Sequence, residues 1–215
     1  MGIFLLSDTN QLNSTLKRAL VNAIAEHGNR IAYISSQPQD ASRKYFSIAA
    51  QDYQSINPVI SLDYFDLSEN FSTNILESLT DYGIIHLSGG NTYTFLEALQ
   101  NRGMKAVFQK HLDNKNLLIG VSAGAIALTP HIGTSELCGD VNSSSLANLI
   151  GMSFVDFCFL PHLGTLFDNS EENLELAQSF LSRIGGKLYL AGDHDGILIE
   201  GSAVALYGNI LKLIA

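Results

Sequence analysis

The sequence predicts an α/β protein: a three-layer α/β/α sandwich with a mostly parallel central sheet and antiparallel strands toward the C-terminus. Three observations carry this expectation. Short apolar runs alternate with stretches of helical spacing. The early runs are apolar throughout, as strands of a parallel sheet are when both faces are buried. The closing stretch, "KLYLAGDHDGILIEGSAVALYGNILKLI", instead breaks into short apolar runs parted by turn residues, as antiparallel strands do.

The elements follow in order. "GIFLLS" (Gly2 to Ser7) reads as the first strand. Leu12, Leu16, Leu20 and Ile24 then recur at helical spacing with Ala19 and Ala23 on the same side, and Gly28 is a natural stop. "RIAYISS" (Arg30 to Ser36) is a second strand. A polar loop with Pro38 leads to a helix near residues 40–54. "PVISLDYFDL" (Pro58 to Leu67) and "YGIIHLS" (Tyr82 to Ser88) are strands. Gly89-Gly90 breaks the latter, and "NTYTFLEALQNRG" is a helix stopped at Gly103. A further helix covers about 104–114 before the apolar run "NLLIGVS". "VDFCFLPHL" (Val155 to Leu163) is strand-like. Residues 169–184 form a helix with Leu174, Ala177, Leu181 and Ile184 inward, Asn169 and Glu172 supplying a capping box. There is no internal repeat, low-complexity tract or second domain, so residues 1–215 read as one domain.

Composition narrows the function classes. Hydrophobic residues make up 46% and charged residues 15%, which suits a full core and excludes a disordered chain. The net charge of -9, with no run of Lys and Arg, argues against nucleic acid as a partner. Cys138 and Cys158 form no C-x-x-C pair and fit a reducing compartment, each as a small buried residue. "MGIFLLSDTN" has neither the basic segment nor the cleavage site of a signal peptide. No apolar run approaches the roughly 20 residues of a membrane span. A cytoplasmic protein without a membrane partner is expected, a monomer or homodimer.

Parallel sheets of this kind bind ligands beyond the C-terminal ends of their strands. Three segments deliver chemistry there. Gly120-Val121-Ser122-Ala123-Gly124 is a G-x-S-x-G pattern between an apolar strand and a small-residue helix, the setting of a nucleophile elbow or of a plain glycine turn. The Gly89-Gly90 loop aims backbone N–H groups at the same edge, as half of an oxyanion hole or as a tight connection. A base and its orienting acid form the third part. His27 and His111 sit late in helices and read as surface residues. His86 reads as a satisfied core histidine. His131, His162 and His194 remain as bases, with Asp193 and Asp195 as acids. Asp156 or Asp168 with His194 would give the chain order of an ordinary α/β-hydrolase. No metal-ligand spacing appears, and no cofactor is expected.

Taken together, "LLSDTN", "LSGGNTYTFLEAL", "IGVSAGA", "FLPHLGT" and "LAGDHDGILIEG" resemble, over nearly the whole chain and in the same order, the dipeptidase E and cyanophycinase family of serine peptidases. The resemblance implies a fold akin to the class I glutamine amidotransferases; a small peptide is the expected substrate, with a dipeptide, an isopeptide or another small amide all fitting. It implies Ser122 as nucleophile, His162 as base and Asp193 as acid. It also implies Gly90 and Ala123 as oxyanion donors, with Gly89 and Asn91 facing substrate. Two departures stand out. An aspartate replaces the family's usual glutamate, which leaves Asp195 as a second orienter. The arginine that the aspartyl dipeptidases carry downstream of the histidine is missing, since no Arg lies between His162 and Arg183. Asp168, Glu171 and Glu172 stand there instead and would repel an acidic substrate, so strict Asp-X specificity is not expected. Two other readings stay open: an amidase or esterase using Ser122, Asp168 and His194, and a non-catalytic small-ligand binder on the same fold.

Overall fold

The computed structural model describes residues 2–36, 42–68, 73–144 and 146–215. Its first strand β1 (Gly2–Leu6) is followed by α1 (Ser14–His27), β2 (Arg30–Ser35), α2 (Lys44–Ile56), β3 (Ser61–Asp66) and α3 (Thr73–Ser78). Then come β4 (Ile84–Leu87), α4 (Thr92–Asn101), α5 (Met104–Asp113), β5 (Leu117–Val121), α6 (Ala123–Ala127) and α7 (Thr134–Leu137). The chain closes with β6 (Cys158–Leu160), α8 (Glu171–Ile184), β7 (Lys187–Leu190), β8 (Gly196–Glu200), β9 (Ala203–Tyr207) and β10 (Leu211–Ile214).

The main sheet has the order β3-β2-β4-β5-β1-β8-β9. Its first five strands are mutually parallel, and β8 and β9 add antiparallel at one edge. The uniformly apolar strands are explained by two covered faces. Phe4, Leu6, Ile31 and Tyr33 pack with Leu16, Leu20 and Ile24 of α1 and with Ala49 and Tyr53 of α2. Their strand neighbours Ile3, Leu5, Ala32 and Ile34 point the other way, toward Leu96 and Leu99 of α4 and Met104 and Phe108 of α5. Leu16, Leu20 and Ile24 are the buried stripe of α1, each stabilising the fold by about 2 kcal/mol. The Asn13 side chain caps that helix by accepting from Leu16 N.

A second, three-stranded sheet has the order β10-β7-β6. The antiparallel strands expected toward the C-terminus are present, since β7 pairs antiparallel with β10 and β8 with β9, while β6, from outside that stretch, pairs parallel with β7. With Ala177, Phe180 and Leu181 of α8 this sheet builds its own small core. Two of the candidate residues, His162 and Asp193, follow β6 and β7 of this small sheet.

Several local expectations are corrected. The strand at Val155 to Leu163 shrinks to Cys158–Leu160, because Pro161 cannot donate to a ladder and His162 takes a left-handed φ of 64°. The strand expected from Pro58 begins at Ser61, after a turn in which Ile60 N donates to Asn57 O. The helix expected near 40–54 runs Lys44–Ile56; Pro38 and the first two residues of that expectation lie outside the described residues. The cap of α8 is Ser170, accepting from Asn173 N, in place of the Asn169–Glu172 box. His111 is fully buried, its Nε2 on the Leu117 carbonyl at 2.9 Å, because α5 turns that face onto the sheet. Among the described residues, no helix is long and apolar enough to cross a membrane.

Candidate active site

β5 ends in Val121, and the chain turns at once into α6 through Ser122. The turn is tight because its glycines allow close approach. A Cβ on Gly120 would meet the Gly124 carbonyl oxygen and Ala125 Cα at 2.8 Å, and one on Gly124 would overlap the Leu87 carbonyl. Gly124 N donates to Ser88 O at 3.0 Å, which ties the turn to the end of β4. Ser122 is held at φ 51° and ψ -114°, a conformation that a residue with a Cβ keeps only when its surroundings impose it. The side chain stays half-buried and points out of the turn.

Ser122 Oγ lies 2.8 Å from His162 Nε2. The other ring nitrogen of His162, Nδ1, lies 2.6 Å from Asp193 Oδ1. The serine comes from the end of β5 in the main sheet. The histidine follows β6 and the aspartate follows β7, both in the small sheet. The parallel pairing of β6 with β7 places Pro161-His162 and Asp193 at the same end of neighbouring strands. His162 has a positive φ of 64°, and its carbonyl accepts from Thr165, Leu166 and Phe167 N–H groups, which locks the strained turn.

Asp193 is well supported. Thr165 Oγ1 donates to its Oδ2 at 2.9 Å, and Ser7 Oγ donates to its Oδ1 at 3.1 Å. Partial burial pushes its carboxyl up, but hydrogen bonds from His162 and Thr165, the His162 charge and the Ser7 hydroxyl together hold it below the usual carboxylate range. The carboxylate is therefore ionised and able to fix the imidazole tautomer.

Ser7 joins the site without standing among the candidates in the sequence. It ends the run after β1, is 1% exposed, and accepts from His162 N at 2.6 Å while donating to Asp193. One hydroxyl thus fastens the histidine backbone and the aspartate side chain to the main sheet. Its signal was a polar residue at the C-terminal end of a central apolar strand, where sites of this fold class lie. Thr165 offered no comparable signal.

The remaining candidates go elsewhere. Gly90, at φ 133°, and Ala123 border Ser122, and among the described residues their N–H groups donate to no acceptor. Gly89 also approaches the serine: a Cβ there would stand 3.4 Å from Ser122 Cβ and 3.8 Å from its Oγ. Asn91 is used differently from expectation. Its Oδ1 caps α4 by accepting from Thr94 N, its Nδ2 donates to Val141 O, and it does not line the cavity. His131 Nδ1 accepts from Gly133 N, and its ring packs on Phe180. His194 Nδ1 sits on the Gln11 carbonyl, while Asp168 accepts from Ser170 N and Asn173 Nδ2 at the start of α8. Asp156 pairs with Lys187. The Ser122, acid, His194 order is therefore not assembled. Asp195 accepts from Asn13 Nδ2 and Asn209 N, away from His162. His86 is a core histidine bonded to the Tyr53 hydroxyl, as its strand position suggested. Cys158 is buried as expected, whereas Cys138 is half-buried and lines the cavity at Ser122; burial pushes the Cys138 thiol up to about 12 and the Cys158 thiol up to about 11, so neither is a thiolate at neutral pH. Among the described residues, no three His, Cys, Asp or Glu side chains gather as a metal site.

The profile of Peptidase family S51 matches residues 3–207. The chain belongs to that family. Family membership makes it a serine peptidase. An uncharacterized peptidase from Listeria monocytogenes serovar 1/2a is 27% identical to it over 146 residues, 66% of this chain and 69% of that protein. Another, from Pasteurella multocida strain Pm70, is 27% identical over 149 residues, 69% of this chain and 70% of that protein. A crystal structure from Listeria monocytogenes EGD-e, of a protein provisionally assigned as a peptidase E, superposes with a TM-score of 0.77 at 20% identity. It covers 95% of this chain and 96% of its own. That likeness confirms the α/β fold with its mostly parallel sheet.

Proposed function

We propose that this serine peptidase hydrolyses short peptides, with Ser122 as nucleophile, His162 as general base and Asp193 as the group that orients it. The observation that supports this most is the unbroken chain from Ser122 Oγ to His162 Nε2, 2.8 Å, and from His162 Nδ1 to Asp193 Oδ1, 2.6 Å. In this mechanism His162 takes the serine proton as Oγ attacks the scissile carbonyl. Asp193 keeps Nδ1 protonated and stabilises the imidazolium. The free N–H groups of Gly90 and Ala123 receive the oxyanion. His162 then protonates the leaving amine, and water hydrolyses the acyl-enzyme with His162 again as base. The cavity at Ser122 has a volume of about 370 Å³, near the lower end of the roughly 300–1,000 Å³ of small-molecule sites, which favours a dipeptide or another short peptide over a folded chain.

A fluorophosphonate probe tests the assignment without knowledge of the substrate. The wild-type protein should be labelled at Ser122, and Ser122→Ala should lose labelling and peptide turnover while keeping its fold. Absence of labelling in the folded wild-type protein would instead favour a small-ligand binder.

A further inference from the structure

The cavity beside Ser122 has two kinds of lining. Tyr45, Ile48 and Ala49 of α2 form an apolar part with Tyr33 and Val121. Tyr45 and Ile48 are 53% and 37% exposed and line the space that substrate enters. Tyr33 stacks on His86 with ring centroids 4.6 Å apart, and His86 lines the same cavity. Burial drives His86 down to about 3, so this part carries no charge at neutral pH.

The other part is polar and one-signed. Thr92 lines the cavity, is 1% exposed, and its Oγ1 has no hydrogen-bond partner. Its backbone N–H donates to Asp140 Oδ2 at 2.9 Å, and Asp140 lines the cavity as well. A buried hydroxyl left without a partner is rare and asks for a ligand group. Beside a carboxylate that group is a cationic donor, and an ammonium brings three hydrogens. Charge around the cavity agrees. All twelve Lys and Arg lie among the described residues and none lines it, whereas Asp8 and Asp140 do.

We infer that the substrate is a short peptide with a free N-terminus and a neutral apolar or aromatic first residue, its α-ammonium held by Asp140 and the Thr92 hydroxyl and its side chain laid against Tyr45 and Ile48. The inference rests on Ser122 as nucleophile. It adds that an acidic first residue is rejected, because its carboxylate would face Asp8 and Asp140, while Lys44, whose Nζ stands 5.9 Å from the Tyr45 ring centroid, does not line the cavity.

The test is a panel of dipeptides with a constant second residue and Phe, Tyr, Leu, Asp or Glu first, together with N-acetylated Phe. The kcat/KM for Phe, Tyr and Leu should exceed that for Asp and Glu at least thirtyfold, and acetylation should cost at least a hundredfold. Asp140→Asn keeps an acceptor for Thr92 N but removes the charge. It should raise KM for Phe-X at least tenfold with kcat changed less than threefold, and Thr92→Val should raise KM at least threefold. Preference for Asp-X, equal cleavage of the acetylated peptide, or an unchanged KM in Asp140→Asn would overturn the inference. So would a protein that reacts with fluorophosphonate at Ser122 yet cleaves none of the panel. Loss of fluorophosphonate labelling in the wild-type protein would instead mark failure of the nucleophile assignment beneath it.

Discussion

Replacing Ser7 by alanine isolates a single hydroxyl that serves two members of the site. Its Oγ accepts from His162 N at 2.6 Å and donates to Asp193 Oδ1 at 3.1 Å. Ser7 is 1% exposed, so water does not readily take over both bonds. An orphaned buried N–H costs about 1–3 kcal/mol, and the lost bond to a charged carboxylate contributes about 1.5–3 kcal/mol. Relaxation of the 162–167 turn offsets part of this, and a net loss of about 2–3 kcal/mol is expected in urea unfolding. The effect on reactivity is separate. His162 at φ 64° is held in a strained conformation partly by this bond. A small displacement of its ring from Ser122 should slow fluorophosphonate labelling by about 10- to 100-fold. Labelling is measured where circular dichroism shows both proteins folded, so that instability does not imitate loss of positioning. A variant that loses less than about 0.5 kcal/mol and labels within twofold of wild type would refute the reasoning.

Three further outcomes follow from the same geometry. Asp193→Asn should lower turnover by about 10³-fold or more with little change in fold, because the amide can impose the wrong imidazole tautomer; the measurement is the rate of probe labelling at pH 7. Acid should destabilise the protein from near pH 6.5 downward. Burial holds His86 down to about 3 and His111 down to about 4, whereas both take up a proton near pH 6.5 when unfolded. The unfolded chain then binds more protons, so stability falls with pH by up to about 1.4 kcal/mol per pH unit for each histidine. His86→Gln should flatten the slope of urea stability against pH between about 6 and 4, and an unchanged slope would count against a neutral buried imidazole. Gly124→Ala should cost about 2–3 kcal/mol and disturb labelling, since the new methyl group overlaps the Leu87 carbonyl; a neutral thermal-melting result would show that the β4 and β5 ends can separate cheaply.

The sequence by itself determined the local elements and the chemistry of each segment. Uniformly apolar strands announced a sheet covered on both faces, because alternation disappears when neither side meets water. The spacing of Leu16, Leu20 and Ile24 marked one face of α1, and the G-x-S-x-G run marked a tight strand-to-helix turn. Resemblance to a family suggested which serine, histidine and aspartate to compare. What these local signals lack is distance between segments far apart in the chain. Asp193 and Asp195 are comparable orienters of His162 in one dimension. Only the parallel pairing of β6 with β7 brings Asp193 to His162, while Asp195 turns to Asn13 and Asn209. His111 is buried against expectation, because a basic residue near a helix end is ordinarily solvated and its burial depends on how α5 lies on the sheet. Ser7 carries only the signal of its place at a strand end, and its partners stay hidden for the same reason. A serine after an apolar run is chemically ordinary until the small sheet brings a backbone N–H and a carboxylate to its hydroxyl, and that meeting is set by the packing of the two sheets.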